Sequence, residues 1–145
     1  MRALIFTGIL IMTAMLSLDL AGQQTNGERH LYREIHTQEL KEWYAQGKNM
    51  IVVDARSKNY DGTLLPQAIW LPHDAPEQQV HALLPSKNSL IVVYCCNPSC
   101  SASQLLVDRL TAEGYTDVYK YPEGLQEWKQ QGLPTNNKRE EQAVR

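Results

Sequence analysis

Residues 90 to 94, LIVVY, form an apolar run with no polar alternation, and no other stretch constrains the fold as strongly. A strand with one wet face alternates polar and apolar side chains, so an unbroken β-prone run predicts a strand covered on both faces, as in a parallel sheet flanked by helices. The next nine residues, CCNPSCSAS at 95 to 103, contain all three cysteines of the chain. Ser101, with Gln104 three residues on and apolar Leu105, Leu106 and Leu110 beyond, has the pattern of a capping box opening an amphipathic helix over 102 to 113. The thiols are therefore expected at a helix amino terminus. Unpaired N–H groups and the positive end of the helix dipole there favour a thiolate and can hold an anionic adduct on it, which is an arrangement for sulfur chemistry.

The elements around this unit alternate. A short extended piece is expected near Tyr32 to Ile35, then a helix from a Thr37 cap to about Gln46, with Leu40, Trp43 and Tyr44 on one side and Gly47 as its stop. Residues 50 to 53 read as a strand, and residues 56 to 67, with Gly62 and Pro66, as a loop. A second strand at 68 to 71 closes at Pro72, and Val80, Leu83 and Leu84 give a helix over 77 to 84 before Pro85. After the 102 to 113 helix and Gly114, residues 117 to 121 form a last strand and 122 to 131 a last helix with Leu125 and Trp128 inward. This alternation predicts a small α/β domain: a parallel sheet, right-handed crossovers and helices on both faces. Ligands of such sheets bind outside the carboxyl ends of the strands, which is where Cys95, Asp54 and Arg56 fall.

The 145 residues suffice for one core, expected over 31 to 134. Residues 3 to 18 are uncharged and apolar between Arg2 and Asp19; they are too short to span a bilayer comfortably and fit a secretory signal over 1 to 21, with an uncleaved anchor as the alternative. The expected location is therefore periplasmic or secreted, with any membrane tether confined to residues 3 to 18. Residues 22 to 30 and 135 to 145 read as a polar lead-in and a polar tail. A net charge of −2 offers no basic field for nucleic acid. Export would permit disulfides, and an odd cysteine count leaves at least one thiol for other work.

Four segments resemble the rhodanese-like sulfurtransferase domain: VVDAR at 52 to 56, YDGTLLPQAIWLP at 60 to 72, VVYC at 92 to 95 and GYTDVYKYPEGLQEWKQQGLP at 114 to 134. They stand in the family's order, and the resemblance as a whole covers about residues 33 to 134. The resemblance implies that Cys95 is the nucleophile carrying a sulfane sulfur as a persulfide, that no cofactor is needed, and that the partners are a small sulfur donor and a thiol or protein acceptor. The family's usual loop, C-x-x-G-x-R-S, places a serine six residues after the cysteine. The matching serine here is Ser103, eight residues on, and the intervening Cys96, Asn97, Pro98, Ser99, Cys100 and Ser101 include neither glycine nor arginine. Without a guanidinium in the loop, thiosulfate binding and C-x5-R phosphatase chemistry are both disfavoured.

The individual residues keep alternatives. Cys95 is either the nucleophile or an inert buried thiol. Cys100 either resolves an oxidised Cys95 as a disulfide or only staples the loop, and Cys96 is a filler or a partner of Cys100. Three thiols within six residues can also bind a soft metal, although C-C-x3-C is not a zinc spacing and no metal site is expected. Asp54 and Arg56 read as a turn and salt bridge fixing the strand end, with donor binding by Arg56 as the second reading. His30, His36, His73 and His81 read as solvated, and Trp43, Trp70 and Trp128 as core, with Trp70 able to line a crevice rim. The expected function is transfer of a sulfane sulfur through a cysteine persulfide to a thiol or protein; the alternative is a non-catalytic or thiol–disulfide module of the same fold using Cys95 and Cys100.

Overall fold

The computed structural model describes residues 31–137, so the expected signal segment at 1 to 21, the lead-in at 22 to 30 and most of the polar tail lie outside the described residues. Among the described residues no helix is long and apolar enough to cross a membrane. The elements are β1 (Arg33–Glu34), α1 (Thr37–Ala45), β2 (Ile51–Asp54), β3 (Thr63–Leu64), β4 (Ile69–Trp70), α2 (Glu77–Leu83), β5 (Ile91–Tyr94), α3 (Ala102–Ala112), β6 (Val118–Tyr121), α4 (Gly124–Gln130) and β7 (Asn136–Asn137). Five strands form one parallel sheet in the order β1-β6-β5-β2-β4.

The unbroken LIVVY run occupies the centre of that sheet, as its lack of alternation requires: Ile91, Val92, Val93 and Tyr94 are each 0% exposed. Because successive strand side chains point to opposite faces, β5 feeds two cores. Ile91, Val93 and Cys95 pack with Val80 of α2 and with Leu106, Val107 and Leu110 of α3. Val92 and Tyr94 pack with Leu40 and Trp43 of α1 and with Leu125 and Trp128 of α4. The sheet is thus sandwiched between two helix pairs, and Cys95 belongs to the α2/α3 side.

Several expected boundaries and caps are corrected. The strand expected at 117 to 121 forms as β6 but is not the last: the chain continues past Pro134 into β7, which pairs antiparallel with β3 inside the segment expected to be a loop. The last helix begins at Gly124 rather than Pro122. Neither expected cap forms. His36, not Thr37, precedes α1, and the Thr37 hydroxyl is instead 2.8 Å from Tyr121 Oη in a buried pair that ties α1 to β6. At α3 the Ser101 side chain makes no capping bond, and Gln104 turns away: its Oε1 accepts from Tyr32 Oη and Lys120 Nζ, both at 2.9 Å. In both cases a partner remote in sequence outcompetes the local bond.

The Thr37 and Tyr121 pair yields a stability prediction. Tyr121→Phe removes one partner of a buried hydrogen bond and should cost about 1–2 kcal/mol. In urea unfolding, Thr37→Val combined with Tyr121→Phe should cost less than the sum of the two single changes. Strict additivity would show that the two hydroxyls do not act as a pair.

Candidate functional site

Three adjacent strands, β5, β2 and β4, end at the same edge of the sheet, and the segments leaving them surround a cleft of about 430 Å³, within the usual range for small-molecule sites. After β2 come Arg56, Ser57, Lys58 and Asn59; after β4, His73 and Asp74; after β5, Cys96, Cys100, Ser101 and Ala102. This is the crevice expected outside the carboxyl ends of a parallel sheet. Ser57, Lys58, Asn59, His73 and Asp74 were not among the expected site residues. His73 was expected to be solvated but is half-buried at the wall, its Nδ1 3.4 Å from the Ala55 carbonyl. Its place just past the end of the expected 68 to 71 strand is the signal that points to it, and the strand order, which sets the β4 end beside the β2 end, brings it to the cleft.

Arg56 is 4% exposed and fully committed. Its Nε and Nη2 reach the Asp54 carboxylate at 2.7–3.0 Å, Nη2 donates to the Thr63 carbonyl at 2.6 Å, and Nη1 donates to the Asn59 carbonyl at 3.3 Å. Burial opposes the guanidinium charge, but the Asp54 hydrogen bonds and charge outweigh it and raise the pKa above the ordinary arginine value. Asp54 is 0% exposed and also accepts the Arg56 backbone N–H. The pair holds the β2 exit and the β3 segment together, which is the structural reading of these two residues. Trp70 adds to the same turn: it stacks on Tyr60 with ring centroids 4.6 Å apart and donates Nε1–H to the Arg56 carbonyl at 2.6 Å.

The cysteine loop begins with main-chain bonds to α4. Leu125 N–H donates to the Cys95 carbonyl at 2.9 Å and Gln126 N–H to the Cys96 carbonyl at 2.8 Å. So the first free N–H groups of α4 hold the base of the loop. The approach is close because Gly124, at φ +67°, has no Cβ; one placed there would lie 2.5 Å from the Cys95 oxygen. The loop then tightens around Asn97, whose Oδ1 accepts from Ser99 N–H and whose carbonyl accepts from Cys100 N–H, each at 3.0 Å. Pro98, Ser99 and Ser101 are exposed, and Ser103 is buried.

All three cysteines are free, but their surroundings differ. Cys95 is 1% exposed and does not line the cleft. Its Sγ–H donates to the Cys100 carbonyl at 3.2 Å, and Ser103 Oγ lies 3.2 Å from the same sulfur. With its one hydrogen engaged by that carbonyl, the thiol accepts from Ser103. Burial pushes its pKa up to about 11, although the Ser103 hydroxyl and N–H at the start of α3 pull it down. The helix-terminus effect expected for Cys95 is therefore present and outweighed. Cys96 is half-buried at the cleft wall, and burial raises its pKa.

Cys100 is shifted the other way. Burial raises it, but the N–H groups of Cys96 and Ala102 and the Cys96 thiol favour its anion and leave its pKa below the ordinary thiol value. Burial of the strand end and the direction of these donors are tertiary facts that spacing did not carry. Among the described residues no group of three or more His, Cys, Asp or Glu side chains is arranged to hold a metal ion.

Solved structures with this architecture include a Bacillus halodurans protein (TM-score 0.65, 24% identity, covering 74% of this chain and 78% of that one). Others are the rhodanese-like domain of an Anabaena protein (TM-score 0.62, 24% identity, 72% and 78%) and the thiosulfate sulfurtransferase of Pseudomonas aeruginosa (TM-score 0.61, 18% identity, 73% and only 20%). No curated protein matches the sequence. The family model described as a rhodanese-like domain matches residues 36–131, a span that runs from the start of α1 to the end of α4 and contains the whole cysteine loop. That span is most of the chain, and with the parallel sheet and the strand-to-helix cysteine loop it establishes that the chain belongs to the rhodanese-like domain family.

Proposed function

We propose that this protein transfers a sulfane sulfur through a cysteine persulfide on the loop between β5 and α3, and delivers it to a thiol or protein acceptor. The observation that carries this reading is the clustering of three free thiols where β5 ends, two of them on the cleft wall; nearby N–H groups push the Cys100 thiol below its ordinary pKa. A persulfide is an anion, and donors fixed before it forms stabilise it without reorganisation. Transfer itself needs only a thiolate, a donor with a weak S–S bond and an accepting thiol. Thiosulfate is a poor fit because the buried guanidinium of the cleft, Arg56, is already saturated by Asp54 and two carbonyls. Export to the periplasm or the cell exterior belongs to the same proposal and is supported by the apolar segment at residues 3 to 18.

Intact-mass measurement tests the reading. Brief exposure to polysulfide should add about 32 Da, one sulfur atom, to the wild type and nothing to a variant with all three cysteines changed to serine. Thiosulfate should load the protein at least about tenfold less efficiently. Absence of any adduct with either donor would sink the proposal. The contact of the Cys95 sulfur with the Cys100 backbone, 3.2 Å from its carbonyl oxygen, favours a second reading, a thiol–disulfide module, which predicts a loss of about 2 Da under mild oxidation and no sulfur adduct.

A further inference from the structure

Resting on the sulfur-transfer reading above, we propose that Cys100 is the thiol that takes up the sulfur, and that Cys95 beneath it is a positioning residue. Access gives the first reason. A donor in the cleft meets Cys100 and Cys96, whereas Cys95 is 1% exposed within the core between β5 and α3. An added sulfur on Cys95 would have to fit into packed surroundings, which resist even one extra atom.

Orientation gives the second. The Cys95 sulfur lies 3.2 Å from the Cys100 carbonyl oxygen and 3.8 Å from that of Asn97. An anionic persulfide there would face two lone-pair-bearing oxygens. At Cys100, which lines the cleft, the N–H groups of Cys96 and Ala102 and the Cys96 thiol favour the anion and hold the pKa below the ordinary thiol value, while the Cys95 S–H is spent on the Cys100 carbonyl at 3.2 Å. The turn at Asn97 fixes the Cys100 backbone through its own N–H at 3.0 Å, so these donors meet a sulfur held in place. Of the two cleft-lining thiols, Cys96 thus acts as a donor to the other.

The step balances without an outside oxidant. The Cys100 thiolate attacks the outer sulfur of a persulfide donor, R–S–SH; the new Cys100–S bond forms as the R–S to S bond breaks, and R–S⁻ leaves with the electron pair. Cys100–S–SH results. An acceptor thiolate then attacks the outer sulfur, and Cys100 departs as the thiolate it was at the start. The loop N–H groups favour the thiolate on the Cys100 sulfur before attack and after release, while the Cys95 S–H holds the Cys100 carbonyl at 3.2 Å and so positions the nucleophile from beneath.

Location of the adduct decides the assignment. Wild-type protein is exposed to limiting polysulfide, quenched within seconds by an alkylating agent, and the added sulfur is placed by fragmentation mass spectrometry. It should lie on Cys100. Cys100→Ser should lose the adduct, while Cys95→Ser should load more slowly but still at Cys100. Independently of any variant, alkylation of the folded wild type should proceed about tenfold or more faster at Cys100 than at Cys95. Sulfur on Cys95 or Cys96, or full loading of Cys100→Ser, overturns the assignment and leaves sulfur transfer standing. Sulfur on none of the three removes the transfer reading itself.

Discussion

Asp54→Ala should destabilise the domain by about 3–5 kcal/mol, because it leaves the Arg56 guanidinium buried without its carboxylate. Asp54 and Arg56 are 0% and 4% exposed, so water does not replace the lost partner. The carbonyls of Thr63 and Asn59 satisfy N–H groups but carry no charge, and the one carboxylate left, Asp61, is exposed and reaches Nη1 only at 3.4 Å, a weak substitute for the buried Asp54. Single domains hold only about 5–15 kcal/mol in total, so a large unfolded fraction is expected at physiological temperature. Replacing both residues, with Asp54→Leu and Arg56→Met, should be milder than Asp54→Ala alone, since no charge is then stranded. It should not restore the wild-type value, because the Thr63 carbonyl loses its donor. Urea unfolding followed by circular dichroism measures all three, and a cost below about 1 kcal/mol for Asp54→Ala would show that the pair is not holding the β2 exit.

The second large effect is expected at Gly124. An alanine there must adopt φ +67°, at about 1–2 kcal/mol, and its Cβ would sit 2.5 Å from the Cys95 oxygen and 2.9 Å from the Cys96 carbonyl carbon. Relieving that overlap moves backbone, not a flexible side chain, which adds about 1–3 kcal/mol. The sum is about 3 kcal/mol, but stability is only part of the prediction. The atoms that must move are those whose carbonyls accept the Leu125 and Gln126 N–H groups, so the loop shifts relative to the cleft. Gly124→Ala should therefore lower the melting temperature by several degrees and also reduce sulfur loading in the fraction that remains folded. An unchanged melting temperature, or full loading by the folded fraction, would contradict one or the other half of this expectation.

Much of this architecture can be read directly from the residues, and the parts that cannot share a cause. The central strand was legible because LIVVY lacks alternation, and α3 because Leu106 and Leu110 keep helical spacing. The placement of Cys95 at the end of β5 and of the Asp54 and Arg56 turn at the end of β2 followed from the same periodicity. The caps were not legible. Thr37 and Gln104 have the right chemistry for local capping bonds, but Tyr121, 84 residues from Thr37, and Tyr32, 72 residues from Gln104, take those groups instead. The β3 and β7 pair was missed because Thr63–Leu64 follows Gly62 in a segment that reads as a turn and Asn136–Asn137 lies in a polar tail, so only their pairing across the chain makes them strands. At the loop, spacing placed the thiols at a helix terminus but could not show which sulfur faces carbonyls and which faces N–H groups. That depends on the turn at Asn97 and on the depth of Cys95, both set by tertiary packing.

The two bonds from the start of α4 to Cys95 and Cys96 are made by main-chain atoms alone. Side-chain identity at positions 96 and 100 is therefore absent from those seating bonds, whereas the Cys95 sulfur adds its own contact to the Cys100 carbonyl from beneath, so at the cleft-facing thiols chemistry and architecture are carried by separate sets of atoms. Such a loop can exchange one nucleophile for another, or lose its nucleophile altogether, while the surrounding domain folds as before. The scaffold is in this sense a reusable holder: selection can retune or silence its reactivity one side chain at a time, and each intermediate stays folded.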